Sequence, residues 1–166
     1  MNEFINDHSH TFNSPLECGL RSMVILECAF PNVYDLQRLV FFDYLLVHSA
    51  DAGGPESLHP PTPHRSGEVL VRRKIIEQGL NLFLSRRLIE KKYTEKGIVY
   101  NATEKTTPFL DNLRTKYSLS LKDRANWVIK SFNGFSDIEL ENFFKINLDR
   151  WGGEFTKEAS LKYGDL

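Results

Sequence analysis

A change of hydrophobic period near Leu88 constrains this chain more than any other feature. Over residues 68–88, Val69, Ile76, Leu80 and Phe83 recur at helical spacing, and Leu70, Ile75 and Leu84 widen the same side. Arg73, Glu77, Asn81 and Ser85 step by four along another side, which therefore faces outward. Beyond Leu88 the pattern alternates. Residues 88–93 read LIEKKY, residues 98–103 read IVYNAT, and TEKG between them supplies a polar turn. A long helix feeding a two-stranded ribbon is the sequence shape of a winged helix, and residues 65–110 predict that module.

The segment in front of this helix cannot be helical. Residues 51–66 hold Gly53-Gly54-Pro55, then Pro60, Pro61 and Pro63, and the prolines fix φ and remove donors. A loop this long in a compact domain is usually functional, so residues 51–66 are expected to form an interface loop. Further upstream, Ser14-Pro15-Leu16-Glu17 reads as a capping box with proline at the first helical position, and predicts a helix to about Phe30. Asn32 predicts the cap of a second helix over residues 33–50. That helix is apolar nearly all round and so central, and Asp43 within it requires a partner or an exposed edge. After the ribbon come a short helix at residues 107–116 and, past a separator at 117–120, a helix carrying Leu121, Ala125, Val128 and Phe132. A second capping box, Ser136 to Glu139, starts the last helix.

The predicted fold class is mainly α, a winged-helix-like core with a two-stranded β wing and additional N- and C-terminal helices. One domain is expected over residues 14–155, with a C-terminal helical layer at 118–152, a flexible arm at 1–13 and a mobile tail at 156–166.

The formal net charge of −1 over 166 residues excludes a polycation, so any nucleic-acid contact has to come from a local patch. The candidates are Arg72, Arg73, Lys74, Arg86, Arg87, Lys91, Lys92 and Lys96, cations on a helix and hairpin that suit phosphates and groove edges. Glu68, Glu77, Glu90, Glu95 and Glu104 are interleaved with them, as on a solvated or protein-docking face. A proline loop stands where an autonomous repressor would carry the first helix of a helix-turn-helix pair. The basic surface is therefore expected to dock protein at least as much as DNA. Cys18 and Cys28, ten residues apart in one helix, would sit ~15 Å apart, too far for a disulfide. Free thiols, no leader-like start and no long apolar run predict a cytoplasmic protein.

His48, Asp51, His59 and His64 have the chemistry of zinc or iron ligands, but their spacings match no compact ligand motif. The competing reading has His48 capping its helix and the loop histidines packing at an interface. No metal and no cofactor are expected. No nucleophile elbow, phosphate-cradling loop or thiol beside a base is visible, so no enzymatic activity is expected. Trp127, Phe132, Phe135, Phe143, Phe144 and Trp151 either glue the C-terminal layer to the first helices or dock a partner. The partner-interface candidates are His48, Asp51, His59 and Arg65 around the loop, with Phe143, Phe144 and Trp151 in the last helix.

Residues 12–21 (FNSPLECGLR), residues 41–73 (FFDYLLVHSADAGGPESLHPPTPHRSGEVLVRR), the Trp127 helix and Arg150-Trp151-Gly152 together resemble the middle component, type 2, of ABC-three-component systems. The resemblance runs from about Phe12 to Thr156. It implies a small accessory subunit with a winged-helix-like core, encoded between an effector and an ATPase. It further implies the small subunit of a Lamassu-type bacterial defence complex. Its partners would be an SMC-like ABC ATPase and an effector, often a nuclease, with double-stranded DNA as a secondary contact and no membrane. The alternative is a free-standing winged-helix DNA-binding transcriptional regulator.

Overall fold

The structure, a computed structural model, describes residues 13–60 and 65–151. The arm up to residue 12, the tail and His64 lie outside the described residues, as do the side chains of Arg65 and Trp151. The order is α1 (Pro15–Ala29), β1 (Tyr34–Asp35), α2 (Leu36–Val47), a 3₁₀ turn (Ser49–Ala52), α3 (Arg65–Ser85), β2 (Ile89–Thr94), β3 (Gly97–Ala102), α4 (Thr106–Asp111), α5 (Lys116–Phe132) and α6 (Asp137–Trp151). The protein is mainly helical, with one small antiparallel sheet of order β1-β3-β2.

Helix α1 starts where its capping signal predicts. The Glu17 amide donates to Ser14 Oγ at 3.3 Å, and Pro15 occupies the first turn. Helix α2 starts later than predicted, because Asp35 and not Asn32 caps it. The Arg38 amide donates to Asp35 Oδ1 at 2.8 Å. The two residues ahead of α2 are extended and pair as β1 with β3, Tyr34 opposite Tyr100 and Asp35 opposite Val99. The expected two-stranded wing is thus part of a three-stranded sheet. Every residue of α2 from Leu39 to Val47 is buried, which makes it the central helix. It packs against α1, α3, α5 and α6.

Helix α3 lays Val69, Ile76, Leu80 and Phe83 into the core, and Arg73, Glu77, Asn81 and Ser85 face outward. Its closest neighbour, α1, crosses it at Gly19 and Gly79. A Cβ on Gly19 would stand 2.6 Å from the Gly79 carbonyl oxygen, and one on Gly79 would collide with Pro15 and the Gly19 backbone. Only hydrogens fit between these helices. The wing is fastened at its base by side chains. Thr106 Oγ1 donates to the Leu88 carbonyl at 2.6 Å, and Thr103 Oγ1 to that of Arg87 at 3.0 Å.

The C-terminal layer is attached by rings. Phe144 stacks on Phe41 of α2 with centroids 4.2 Å apart and meets Tyr44 edge-on. Phe132 gathers Trp127, Phe135 and Phe143 around itself. Arg38 ties α2 to the start of α6 through the Phe135 carbonyl at 2.7 Å and Asp137 at 2.8 Å. The second capping box closes both ways. The Ser136 amide donates to Glu139 at 2.7 Å, and the Glu139 amide to Ser136 Oγ at 3.2 Å. Residues 117–120, expected to separate two helices, are the first turn of α5, capped by Thr115.

Replacing Gly79 with Ala sets a gain in helix propensity of ~1 kcal/mol against a backbone collision that no rotamer relieves. The collision dominates, and chemical denaturation of the Gly79→Ala protein should show a net loss of about 1–3 kcal/mol.

Candidate functional site

Asp43 sits in the middle of α2 with no solvent exposure. An apolar environment rejects an ionised carboxylate unless cations and donors surround it. Arg21 of α1 supplies a fork, Nε to Oδ1 at 2.6 Å and an Nη to Oδ2 at 3.0 Å. Arg72 of α3 donates its own Nη to Oδ2. Both guanidiniums are buried, at 1% and 2% exposure. Arg21 also reaches Asn13 at 3.2 Å and Cys18 Sγ at 3.1 Å. Burial alone would raise the Asp43 pKa, but the two guanidiniums outweigh it and hold the carboxyl below its usual range. Burial also pushes the Cys18 thiol up to about 12, which keeps it protonated.

This placement corrects one predicted DNA contact. Arg72 lies on the inner side of α3, where its charge serves Asp43 and is shut off from any duplex. The other seven cations of that set are exposed. They do not form one patch. Arg73 and Lys74 lie on the outer side of α3, while Arg86 and Arg87 sit at the base of the wing. Arg87 takes a left-handed conformation (φ 58°) just past the end of α3. Along β2 side chains alternate, so Lys91 and Lys92 point to opposite faces. Lys91 lies over the Tyr93 ring at 5.7 Å, whereas Lys92 pairs with Glu90 at 3.4 Å. The Tyr100 hydroxyl on β3 is raised, first by burial. The charges of Lys91, which pairs with Tyr100 across the ladder, and of Arg73 act against that rise and Glu77 acts with it. Lys96 stands at the hairpin tip and lines a groove of about 620 Å³ with Thr94, Val99, Tyr34 and Arg38.

His48, at the end of α2, and His59, in the loop, are both buried in this chain. His48 is 1% exposed and His59 is 7% exposed. His59 Nε2 and the Tyr117 hydroxyl are 2.9 Å apart, and the two histidine rings meet edge-on at 6.3 Å. Burial, followed by the charges of Arg21 and Arg72, lowers the His59 pKa to about 4. Asp51 is half-buried and accepts from the Tyr44 hydroxyl at 2.7 Å. Among the described residues no three acidic, His or Cys side chains are arranged to hold a metal ion. The loop is pinned to the body as well. Ser49 Oγ donates to the Pro55 carbonyl at 2.8 Å, Arg124 to that of Glu56 at 2.9 Å, and the amides of Leu58 and His59 to the Val47 carbonyl at 3.0 Å. Phe144, also expected at an interface, is 1% exposed in the core, while Phe143 is half-buried against Phe132.

Sequence reasoning identified Asp43 as needing a partner but did not find Arg21, which lies within the apolar face of α1. A guanidinium on the buried side of one helix and a carboxylate on the buried side of the next is the signal that pairs them.

One protein-family model, described as "ABC-three component (ABC-3C) system Middle Component 2", matches residues 11–154. No curated protein and no solved structure matches the chain. Among the described residues no helix is long and apolar enough to cross a membrane.

Two outcomes follow from the buried charges. Asp43→Asn leaves two guanidiniums without their carboxylate, and denaturant titration should show a loss of about 3–5 kcal/mol. His59 binds a proton less readily folded than unfolded, so its contribution is complete above about 6.5 and declines as pH falls toward about 4. Stability measured across that window should fall by on the order of 2 kcal/mol, and His59→Asn should flatten the slope.

Proposed function

This chain belongs to the Middle Component 2 family of ABC-three-component systems, which makes it a component of such a defence system, and we propose that it is a non-catalytic accessory subunit bridging that system's ATPase and effector. Within that reading the ATPase is SMC-like, the effector is a nuclease and the system is of the Lamassu type. The observation that carries the docking role is the family match over residues 11–154, since a middle component works with the other components of its system. Leu16, Val71, Leu119, Ile138 and Ile146 are 60%, 62%, 53%, 71% and 63% exposed, on four different helices. Aliphatic side chains scattered singly in this way are ordinary on a globular protein.

A winged-helix core is supported by the order of elements. Helix, strand, two helices and a hairpin follow one another, and the short first strand pairs with the last. The connection from α2 to α3 is much longer than in a helix-turn-helix pair, which favours a subunit over a free regulator. Double-stranded DNA is the secondary partner in this reading, met by Arg73 and Lys74 together with Lys91 on the wing.

Co-expression with the neighbouring components tests the assignment. The chain should co-purify with the ATPase and be monomeric alone. A stable dimer that prefers one duplex sequence by a large ratio at physiological salt would overturn it. Charge reversal at Arg73, Lys74 and Lys91 should leave the complex assembled, and should weaken duplex binding by about tenfold or more with a shallower salt dependence. Loss of assembly would instead assign these cations to a protein contact.

A further inference from the structure

The wing reaches past the core that it covers. On one face of the sheet Tyr34, Ile89, Tyr100 and Ala102 are buried. The last cross-strand pair on that face, nearest the hairpin tip, is Tyr93 opposite Ile98. These two stand in solvent at 77% and 41% exposure, and Tyr93 is the most exposed large hydrophobic side chain among the described residues. Directly opposed side chains have Cβ atoms ~5 Å apart, so the ring and the aliphatic chain form one apolar platform.

The charges around the platform decide what it suits. Lys91 lies on the same face, with Nζ 5.7 Å from the centre of the Tyr93 ring. Lys92, on the other face, is held by Glu90. That other face borders a groove lined by Glu27 and Glu104 as well, and these carboxylates repel phosphate. A nucleic acid is therefore favoured on the Tyr93 side. Within a duplex an internal base is stacked on both of its faces and has none to give to a protein ring, whereas an unpaired base has. An exposed aromatic side chain beside a cation matches that partner, the ring taking the base and the ammonium its phosphate.

We propose that the Tyr93–Ile98 platform stacks an unpaired base of DNA, with Lys91 on the adjoining phosphate. The inference rests on the DNA contact proposed above and names the form of DNA that this contact prefers.

Three fluorescein-labelled DNAs test it with the full chain, read by anisotropy at low salt. One is a blunt duplex, the second carries a short thymine overhang, and the third carries an overhang of equal length made of abasic nucleotides, which keeps the phosphates and removes the bases. The thymine overhang should bind about tenfold more tightly than the abasic one. Tyr93→Ala should remove that preference with an unchanged unfolding midpoint, and Tyr93→Phe, which keeps the ring, should retain it. Equal affinity for the two overhangs, or a preference that survives Tyr93→Ala, would overturn the proposal. A Tyr93→Ala chain that keeps the preference but no longer co-purifies with the ATPase would make the platform a protein contact. If none of the three DNAs binds, the DNA contact at Arg73, Lys74 and Lys91 fails together with this inference; if all three bind alike, only this inference fails.

Discussion

Three helices of this protein meet at one carboxylate. Asp43 on α2 is held by Arg21 from α1 and Arg72 from α3, and none of the three side chains touches solvent to any extent. An ion pair of this kind offers little net stability, because stripping water from three charged groups costs about what their attraction returns. Its effect is on position. A shift of α1 or α3 relative to α2 would leave a bare charge in the core. The Gly19–Gly79 crossing then fixes α1 on α3 by contact of backbones. The site on α3 and the wing that follows it inherit their placement from these two constraints, one electrostatic and one steric.

The same charges reach the proline loop. His59 stands beside Tyr117, and its ring is kept neutral by burial and by the Arg21 and Arg72 guanidiniums. The described part of the loop, residues 51–60, is therefore fastened to the body, with His59 buried. Its carbonyls accept from Ser49 and Arg124, its amides reach Val47, and Gly54 passes so close to Trp127 that a Cβ would enter the indole. The solvent-exposed surface includes aliphatic residues on the helices and side chains on both faces of the wing.

How much of this was legible in the sequence depended on whether a local pattern carried it. Ser14–Glu17 and Ser136–Glu139 are chemical signals contained in four residues, and both open helices as predicted. The period change at Leu88 likewise placed α3, β2 and β3 within a few residues. β1 was missed because two residues cannot show alternation, and its pairing partner Tyr100 is remote in the chain. Arg72 was misread because Arg72, Arg73 and Lys74 look alike as a run. A helix turns about 100° per residue, which sends the first inward and the next two outward. For His48, His59 and Phe144 the sequence left two readings open, a partner surface or packing within the fold, because burial is decided by elements far away in sequence; His48 caps α2 and Phe144 stacks on Phe41. The winged-helix expectation and the family resemblance stand on different footings, the first on element order and the second on the match over residues 11–154.

The alternation of β2 has a consequence for how this protein can change over evolutionary time. Lys91 and Lys92 are neighbours in sequence yet belong to surfaces of opposite character, one beside Tyr93 and one above the glutamates near α1. A single-codon insertion ahead of them would trade their sides and carry Tyr93 and Thr94 across with them, so that the ring now beside Lys91 would stand on the other surface. Substitution can tune either surface alone, whereas a change of length at the hairpin alters both together. A change in the length of β2 is therefore felt on both surfaces of the wing at once.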